Sequence, residues 1–132
     1  MIIAFSGSRD FDDAALVDKV LRRLEELHGH ELVIQVGDAL GLDLIVADWC
    51  SANLARHQWW KMTCHWPPRG ASKQEQWMAA HERNARVVAG AVELLAFYGP
   101  HGVTSGTRDA VDQARENGVL VRIYNQFDRR WL

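Results

Sequence analysis

The chain has few cysteines, no long apolar segment and no marked excess of charge of either sign. Its 132 residues contain two cysteines, Cys50 and Cys64, too few for a disulfide framework, which favours a reducing, cytoplasmic environment. No stretch approaches the roughly 18 consecutive apolar residues of a membrane-spanning helix, and the N-terminal segment lacks the basic start of a signal peptide. The formal net charge of −2 provides no global attraction for nucleic acid. We therefore expect a cytoplasmic protein that binds neither a membrane nor a nucleic acid.

Several motifs of well-known catalytic and cofactor sites are also missing. The six histidines stand at no zinc-binding spacing with the two cysteines. The dinucleotide pattern GxGxxG, the phosphate-loop pattern GxxxxGK[ST] and the nucleophile elbow GxSxG do not occur. The sequence thus predicts no metal site, no resident cofactor and no serine nucleophile.

Short apolar runs alternate with segments of helical periodicity along the chain. The runs predict five strands, at 2–5, 31–36, 59–64, 92–97 and 119–124. The periodic segments predict helices that begin at an Asp12 or Asp13 cap and that cover 42–56, 73–90 and 106–117. Such alternation favours a single three-layer, Rossmann-like α/β domain over residues 1–124, with residues 125–132 as a short tail. Its parallel five-stranded sheet has the predicted order 3-2-1-4-5, with helices on both faces.

Three glycine-rich loops follow the first, second and fourth predicted strands, at 6–10, 37–43 and 98–107. In a doubly wound sheet, ligands bind beyond the carboxyl ends of the strands, where the strand order reverses. Each loop leads into a helix, whose first turn favours an anion, and glycine permits close approach of the backbone. The sequence therefore predicts a phosphate-binding site where the three loops meet.

Individual residues of these loops admit more than one interpretation. Ser105, Gly106 and Thr107 would present hydroxyl and N–H groups to a phosphate, although Ser105 is also a standard helix cap. Arg9 would add a charge-assisted hydrogen bond, or would pair with a neighbouring aspartate on the surface. Asp43 would accept hydrogen bonds from ribose hydroxyls, or would cap the second helix.

The third predicted helix carries polar residues within an apolar stripe. The residues on this face are Trp77, Ala80, His81, Asn84, Val87 and Val88. Asn84 needs partners if it is buried, so it either holds a loop carbonyl or lines the ligand cleft together with Arg83. Periodicity predicts that Trp49 and Trp77 are core residues. Trp66, in a proline-containing loop, either stacks on a base or anchors its loop.

As an ordered set, these motifs resemble the SLOG superfamily, the Rossmann-like group named for the Smf/DprA and LOG proteins. The set runs over residues 1–124 and comprises SGSRDF at 6–11, GDALGLD at 37–43, Trp66, Arg83-Asn84 and SGT at 105–107. The nearest branch is formed by small bacterial and phage proteins related to YpsA. The resemblance implies that these loops hold a nucleotide or a nucleotide-derived ligand.

The resemblance also assigns positions residue by residue. Gly7, Ser8 and Arg9 match the first motif of that branch, and Gly37, Gly41 and Asp43 match the second. Asp38 replaces the usual second glycine and brings a carboxylate to where a phosphate would approach.

LOG enzymes cleave the base–ribose bond of nucleoside monophosphates and carry PGGxGTxxE, in which the glutamate is catalytic. Gly106 and Thr107 match the GT, whereas the glutamate position falls on Ala110. Asp109 comes one residue early, on a predicted different face of the helix. The resemblance therefore favours binding, by a sensor or sequestering domain, of a ligand such as a nucleoside phosphate or ADP-ribose. The alternative is a LOG-like N-glycosidase.

Relatives of this fold often pair, and exposed tryptophans suit an interface, so we expect a homodimer.

Overall fold

The computed structural model describes all residues, 1–132, as alternating strands and helices. The strands are β1 (Ile2–Gly7), β2 (Val33–Val36), β3 (Trp59–Lys61), β4 (Glu93–Tyr98), β5 (Leu120–Asn125) and β6 (Arg130–Trp131). The helices are α1 (Ala14–His28), α2 (Leu42–Asn53), α3 (Lys73–Val88) and α4 (Ser105–Glu116), with short 3₁₀ turns at Gly29–Glu31 and Arg56–Gln58. The α/β architecture predicted from the sequence is thus confirmed.

The sheet has six strands in the order β3-β2-β1-β4-β5-β6. The first five strands are parallel and follow the predicted order, whereas β6 pairs antiparallel with β5. The prediction of five strands was therefore one strand short. The five parallel strands have their carboxyl ends at one edge of the sheet, and the strand order reverses between β1 and β4, where a crevice for a ligand is expected.

Residues 125–132, predicted as a tail, turn back along the sheet. Tyr124 pairs with Trp131, and Asn125 pairs with Arg130. The indole of Trp131 packs edge-on against Phe97 and Tyr124, with ring centroids 5.8 and 5.4 Å apart respectively. Aromatic packing of this kind favours the added strand, although the segment is too short to show strand periodicity in the sequence.

Two apolar clusters cover the two faces of the sheet. One face packs on α1 and α2 through large side chains such as Phe5, Leu21 and Trp49, so Trp49 is a core residue as predicted. The other face packs on α3 and α4 through small side chains such as Ala96, Ala110 and Val87. Small residues let α3 and α4 lie close together over the sheet, which brings their polar residues into contact.

The third strand is shorter than predicted and ends at Lys61 rather than at residue 64. Its neighbour β2 ends at Val36, so the backbone beyond Met62 has no parallel partner left. The N–H of Cys64 instead donates to Oδ2 of Asp38, at 3.0 Å.

None of the helices combines the length and apolar character that crossing a membrane requires.

Candidate functional site

A cavity of about 400 Å³ lies at the carboxyl ends of β1 and β2. One wall is α3, and the first turn of α4 closes another side. Nine predicted site residues line it, namely Gly7, Arg9, Gly37, Asp43, Arg83, Asn84, Ser105, Gly106 and Thr107. Loops that are far apart in the sequence thus meet at one cavity, as the parallel topology requires. The ligand-binding role of these residues stays a prediction.

The first turn of α4 presents free N–H groups to this cavity. Its cap residue, Thr104, makes no side-chain cap hydrogen bond, because its hydroxyl lies 3.0 Å from the hydroxyl of Thr107. Ser105 is the first helical residue and not the cap. A Cβ atom built on Gly106 would meet no atom within 4 Å, so this glycine leaves open space at the helix end. An anion would find there both hydrogen-bond donors and the positive end of the helix dipole.

Arg9 lines the same cavity and forms no ion pair or hydrogen bond within the protein. The alternative prediction, a surface pair with a neighbouring aspartate, is therefore wrong. An unpaired guanidinium beside a helix N-terminus favours binding of a phosphate or carboxylate group.

Asp43 lies in the first turn of α2 and is only 6% exposed. Its Oδ2 accepts a hydrogen bond from the N–H of Ala39 at 3.1 Å, whereas its Oδ1 is the one buried side-chain N or O atom without a partner. Burial raises the pKa of Asp43 to about 7, against the lowering effects of the Ala39 hydrogen bond and the Arg83 charge. The carboxyl group therefore changes its charge near neutral pH.

Asp38 does not line the cavity, so its carboxylate does not stand in the way of a phosphate as the sequence had suggested. Its Oδ1 instead forms a 2.6 Å ion pair with Nη1 of Arg83. Although burial acts to raise it, the N–H of Cys64 and the Arg83 guanidinium hold the pKa of Asp38 below its usual value. Nε of Arg83 donates to Oδ1 of Asn84 at 3.1 Å, so the guanidinium of Arg83 is fixed by protein partners.

Ser8 and Gly41 also lie outside the cavity lining and hold the loops in place. The hydroxyl of the fully buried Ser8 donates to the carbonyl of Gly102 at 3.2 Å and accepts from the N–H of Gly99 at 3.1 Å. Gly41 has a φ of 73°, and a Cβ there would collide with the backbone of Ser8 and Arg9. These contacts join the loop after β1 to the loops after β2 and β4.

The face of α3 from Trp77 to Asn84 forms a wall of the cavity, whereas Val87 and Val88 of the same stripe belong to the apolar core. Trp77 is 48% exposed and lines the cavity, so its prediction as a core residue was wrong. Its indole stacks on the ring of His81, with centroids 4.7 Å apart. Trp66 is 52% exposed and lies outside the lining, so Trp77 and not Trp66 is the tryptophan at this site.

Asp109 is the main site residue that the sequence reasoning missed, since it was considered only as a residue next to the LOG glutamate position, on a different helical face from that position. It lines the cavity, and its Oδ1 lies 2.8 Å from Nδ1 of His81. Asn84 and Gln113 donate to its Oδ2 at 2.9 and 3.0 Å. Asp109 follows Ser105 by four residues, a helical spacing that places both on one face and that would have indicated its position.

Asn84 holds the first turn of α4 and lies at the cavity, and its role toward a ligand stays a prediction. Besides Asp109, its Nδ2 donates to the carbonyl of Gly106 at 3.2 Å, and the residue also lines the cavity.

Ala110, at the position of the LOG glutamate, is fully buried in the apolar cluster beneath α4. The structure contains no group of three or more His, Cys, Asp or Glu side chains placed to hold a metal ion.

A family model described as "YspA, cpYpsA-related SLOG family" (YAcAr) matches residues 1–59. The matched segment contains the loops 6–11 and 37–43, whereas Arg83-Asn84 and the first turn of α4 lie beyond it. No curated protein and no solved structure matches the chain. The family match confirms the resemblance that the motifs indicate, to the YpsA-related branch of the SLOG superfamily.

Proposed function

We propose that this protein binds a nucleotide or nucleotide-derived molecule in the cavity at the carboxyl ends of β1 and β2, as a sensor or sequestering domain. The observation that carries the proposal is the first turn of α4, whose free N–H groups and open glycine line the same cavity as the unpaired guanidinium of Arg9. A phosphate group of the ligand would bind between them. The family match is consistent with a ligand of this class.

Thermal unfolding with a panel of AMP, ADP, ADP-ribose, NAD and cyclic nucleotides tests the proposal. A ligand at 100 times its Kd stabilises the folded state by about 2.7 kcal/mol, which gives a clear rise in Tm. We expect Arg9→Ala and Thr107→Ala to abolish the rise. Arg69→Ala, which removes an equally exposed arginine outside the cavity, should preserve it. A panel without any shift, or a shift that survives Arg9→Ala, would contradict the proposal.

The second candidate function is an N-glycosidase acting on nucleoside monophosphates, and the position of Asp109 favours it. This carboxylate lines the cavity one turn from Ser105, where it would stabilise the positive charge that develops on a sugar ring during cleavage. Chromatography of the protein with each nucleotide would reveal released base. If the protein is an enzyme, Asp109→Asn should lower the rate by roughly 100-fold or more, whereas a binding protein would release none.

We also propose that the protein is a cytoplasmic homodimer. Two exposed tryptophans on and near the edge strand β3, Trp60 and Trp66, supply aromatic surface of the kind enriched at interfaces. Cys50 and Cys64 are both buried free thiols, which suits a reducing compartment. Light scattering would show twice the 15.0 kDa chain mass for a dimer and one chain mass for a monomer. A fluorescent fusion protein would report the compartment.

A further inference from the structure

The cavity contains one acceptor that the protein itself leaves unused. Oδ1 of Asp43 is buried, has no hydrogen-bond partner, and belongs to a residue of the cavity wall. A buried polar atom without a partner costs free energy, and most such atoms in proteins are paired. The arrangement is stable only because the rest of the carboxyl group is firmly held, and it calls for a donor from outside the chain.

Two features keep the carboxyl group of Asp43 in this position. Its Oδ2 is fixed by the N–H of Ala39, and a Cβ on Gly37 would lie only 2.7 Å from that oxygen, so the glycine makes room for it. Arg83 packs beside the same glycine, yet its guanidinium is bound to Asp38 and Asn84 and makes no hydrogen bond to Asp43. Asp38 thereby prevents the nearest arginine from occupying the free oxygen of Asp43.

The charges around Asp43 indicate what kind of donor fits. Arg9 and Arg83 both act on this carboxyl group as neighbouring positive charges, and Asp38 acts as a negative one. Because Arg9 and Arg83 already supply positive charge near this carboxyl group, it needs no cation from a ligand, and a hydroxyl group is small, neutral and able to donate. The first turn of α4, which lines the same cavity, favours an anion. A phosphorylated sugar carries both groups.

We propose that Asp43 determines the ligand specificity of the cavity by accepting a hydrogen bond from a sugar hydroxyl, so that the site selects ribose phosphates over their deoxy counterparts. This inference rests on the proposed function, because it concerns the same cavity. It goes further in naming the sugar, and not the base, as the part of the ligand that Asp43 recognises.

The test compares Kd values for matched pairs of ligands by calorimetry at pH 8, where the carboxyl group of Asp43 is ionised and can accept a hydrogen bond. The pairs are AMP with 2′-deoxy-AMP and with 3′-deoxy-AMP, and ribose 5-phosphate with 2-deoxyribose 5-phosphate. For a pair that binds, we expect loss of the recognised hydroxyl to weaken binding roughly 10- to 100-fold, as for a hydrogen bond to a charged group. Asp43→Ala should reduce this ratio to about twofold or less, and Asp43→Asn, which preserves the shape, should reduce it below about tenfold.

Asp48→Asn is the matched control, since Asp48 lies exposed on the same helix outside the cavity, and it should preserve the full ratio. Equal binding of both members of every pair would mean that water satisfies Oδ1, which would overturn the inference and leave the proposed function intact. A ratio that survives in both Asp43 variants would assign the recognition to another residue and would also overturn it. Absence of binding by every compound would overturn the inference together with the proposed function.

Discussion

The unusual titration of Asp43 provides the sharpest test of the site geometry in the free protein. The folded-state pKa of about 7 lies well above the ordinary carboxyl pKa of 3.8 that applies to the unfolded chain. Between these values, the unfolded state has released the proton and the folded state still holds it. The associated stability is fully present below pH 3.8 and is lost as the pH rises through 7. Substitution of Asp43 by Asn removes this dependence and keeps the shape of the side chain.

The size of the effect follows from the two pKa values. Each pH unit between them changes the free energy of unfolding by roughly 1.4 kcal/mol. From pH 5 to pH 7 the wild-type protein should therefore lose about 2 kcal/mol through this one group, with little further change above pH 7. Asp43→Asn should become more stable relative to wild type by that amount over the same range.

Urea denaturation at pH 5, 6, 7 and 8 measures both proteins side by side. Other titrating groups cancel in the difference between them, and Asp48→Asn controls for the loss of a carboxylate from the same helix. A difference that stays constant from pH 5 to pH 8 would show that Asp43 has an ordinary pKa. The carboxyl group would then be solvated, and the reasoning about its burial would be refuted.

Three other substitutions test neighbouring contacts. Asp38→Ala releases the guanidinium of Arg83, so we expect the pKa of Asp43 to fall. In the same urea series, Asp43→Asn should then change the pH dependence of stability less in the Asp38→Ala protein than in wild type. Gly37→Ala places a methyl group against Oδ2 of Asp43 and should lower the free energy of unfolding by about 1–3 kcal/mol in urea denaturation at pH 7. Gly106→Ala has open space around it, so calorimetry should show weaker nucleotide binding, while urea denaturation should show equal or up to about 1 kcal/mol greater stability.

The sequence permitted prediction of the five parallel strands and of the meeting point of the three loops. Apolar runs such as 92–97 are too short for a helix, and the switch-point rule then places the loops at one edge without any knowledge of side-chain contacts. The added strand β6 was not predictable in this way. It depends on Trp131 packing against rings from β4 and β5, which is a tertiary effect.

Within the site, periodicity identified the correct face of α3 but not what that face contacts. Trp77 lies on the same stripe as the buried Val87, and helical spacing alone does not distinguish a core from a cavity wall. Asp38 was misplaced for a related reason, because its position in the loop indicates proximity to the cavity, whereas its partner Arg83 lies 45 residues away in the chain. Contacts of that separation are set by the fold and not by local pattern.

The stack of Trp77 on His81 has an optical consequence. The indole lies half-exposed beside the cavity and contacts a ring that is joined through Asp109 to the first turns of α4. A molecule that enters the cavity must alter the polarity and the collisional quenching around this one indole, while the buried Trp49 remains shielded in the opposite core. The protein therefore contains an intrinsic fluorophore at its own site, and occupancy can be followed by emission without any attached label.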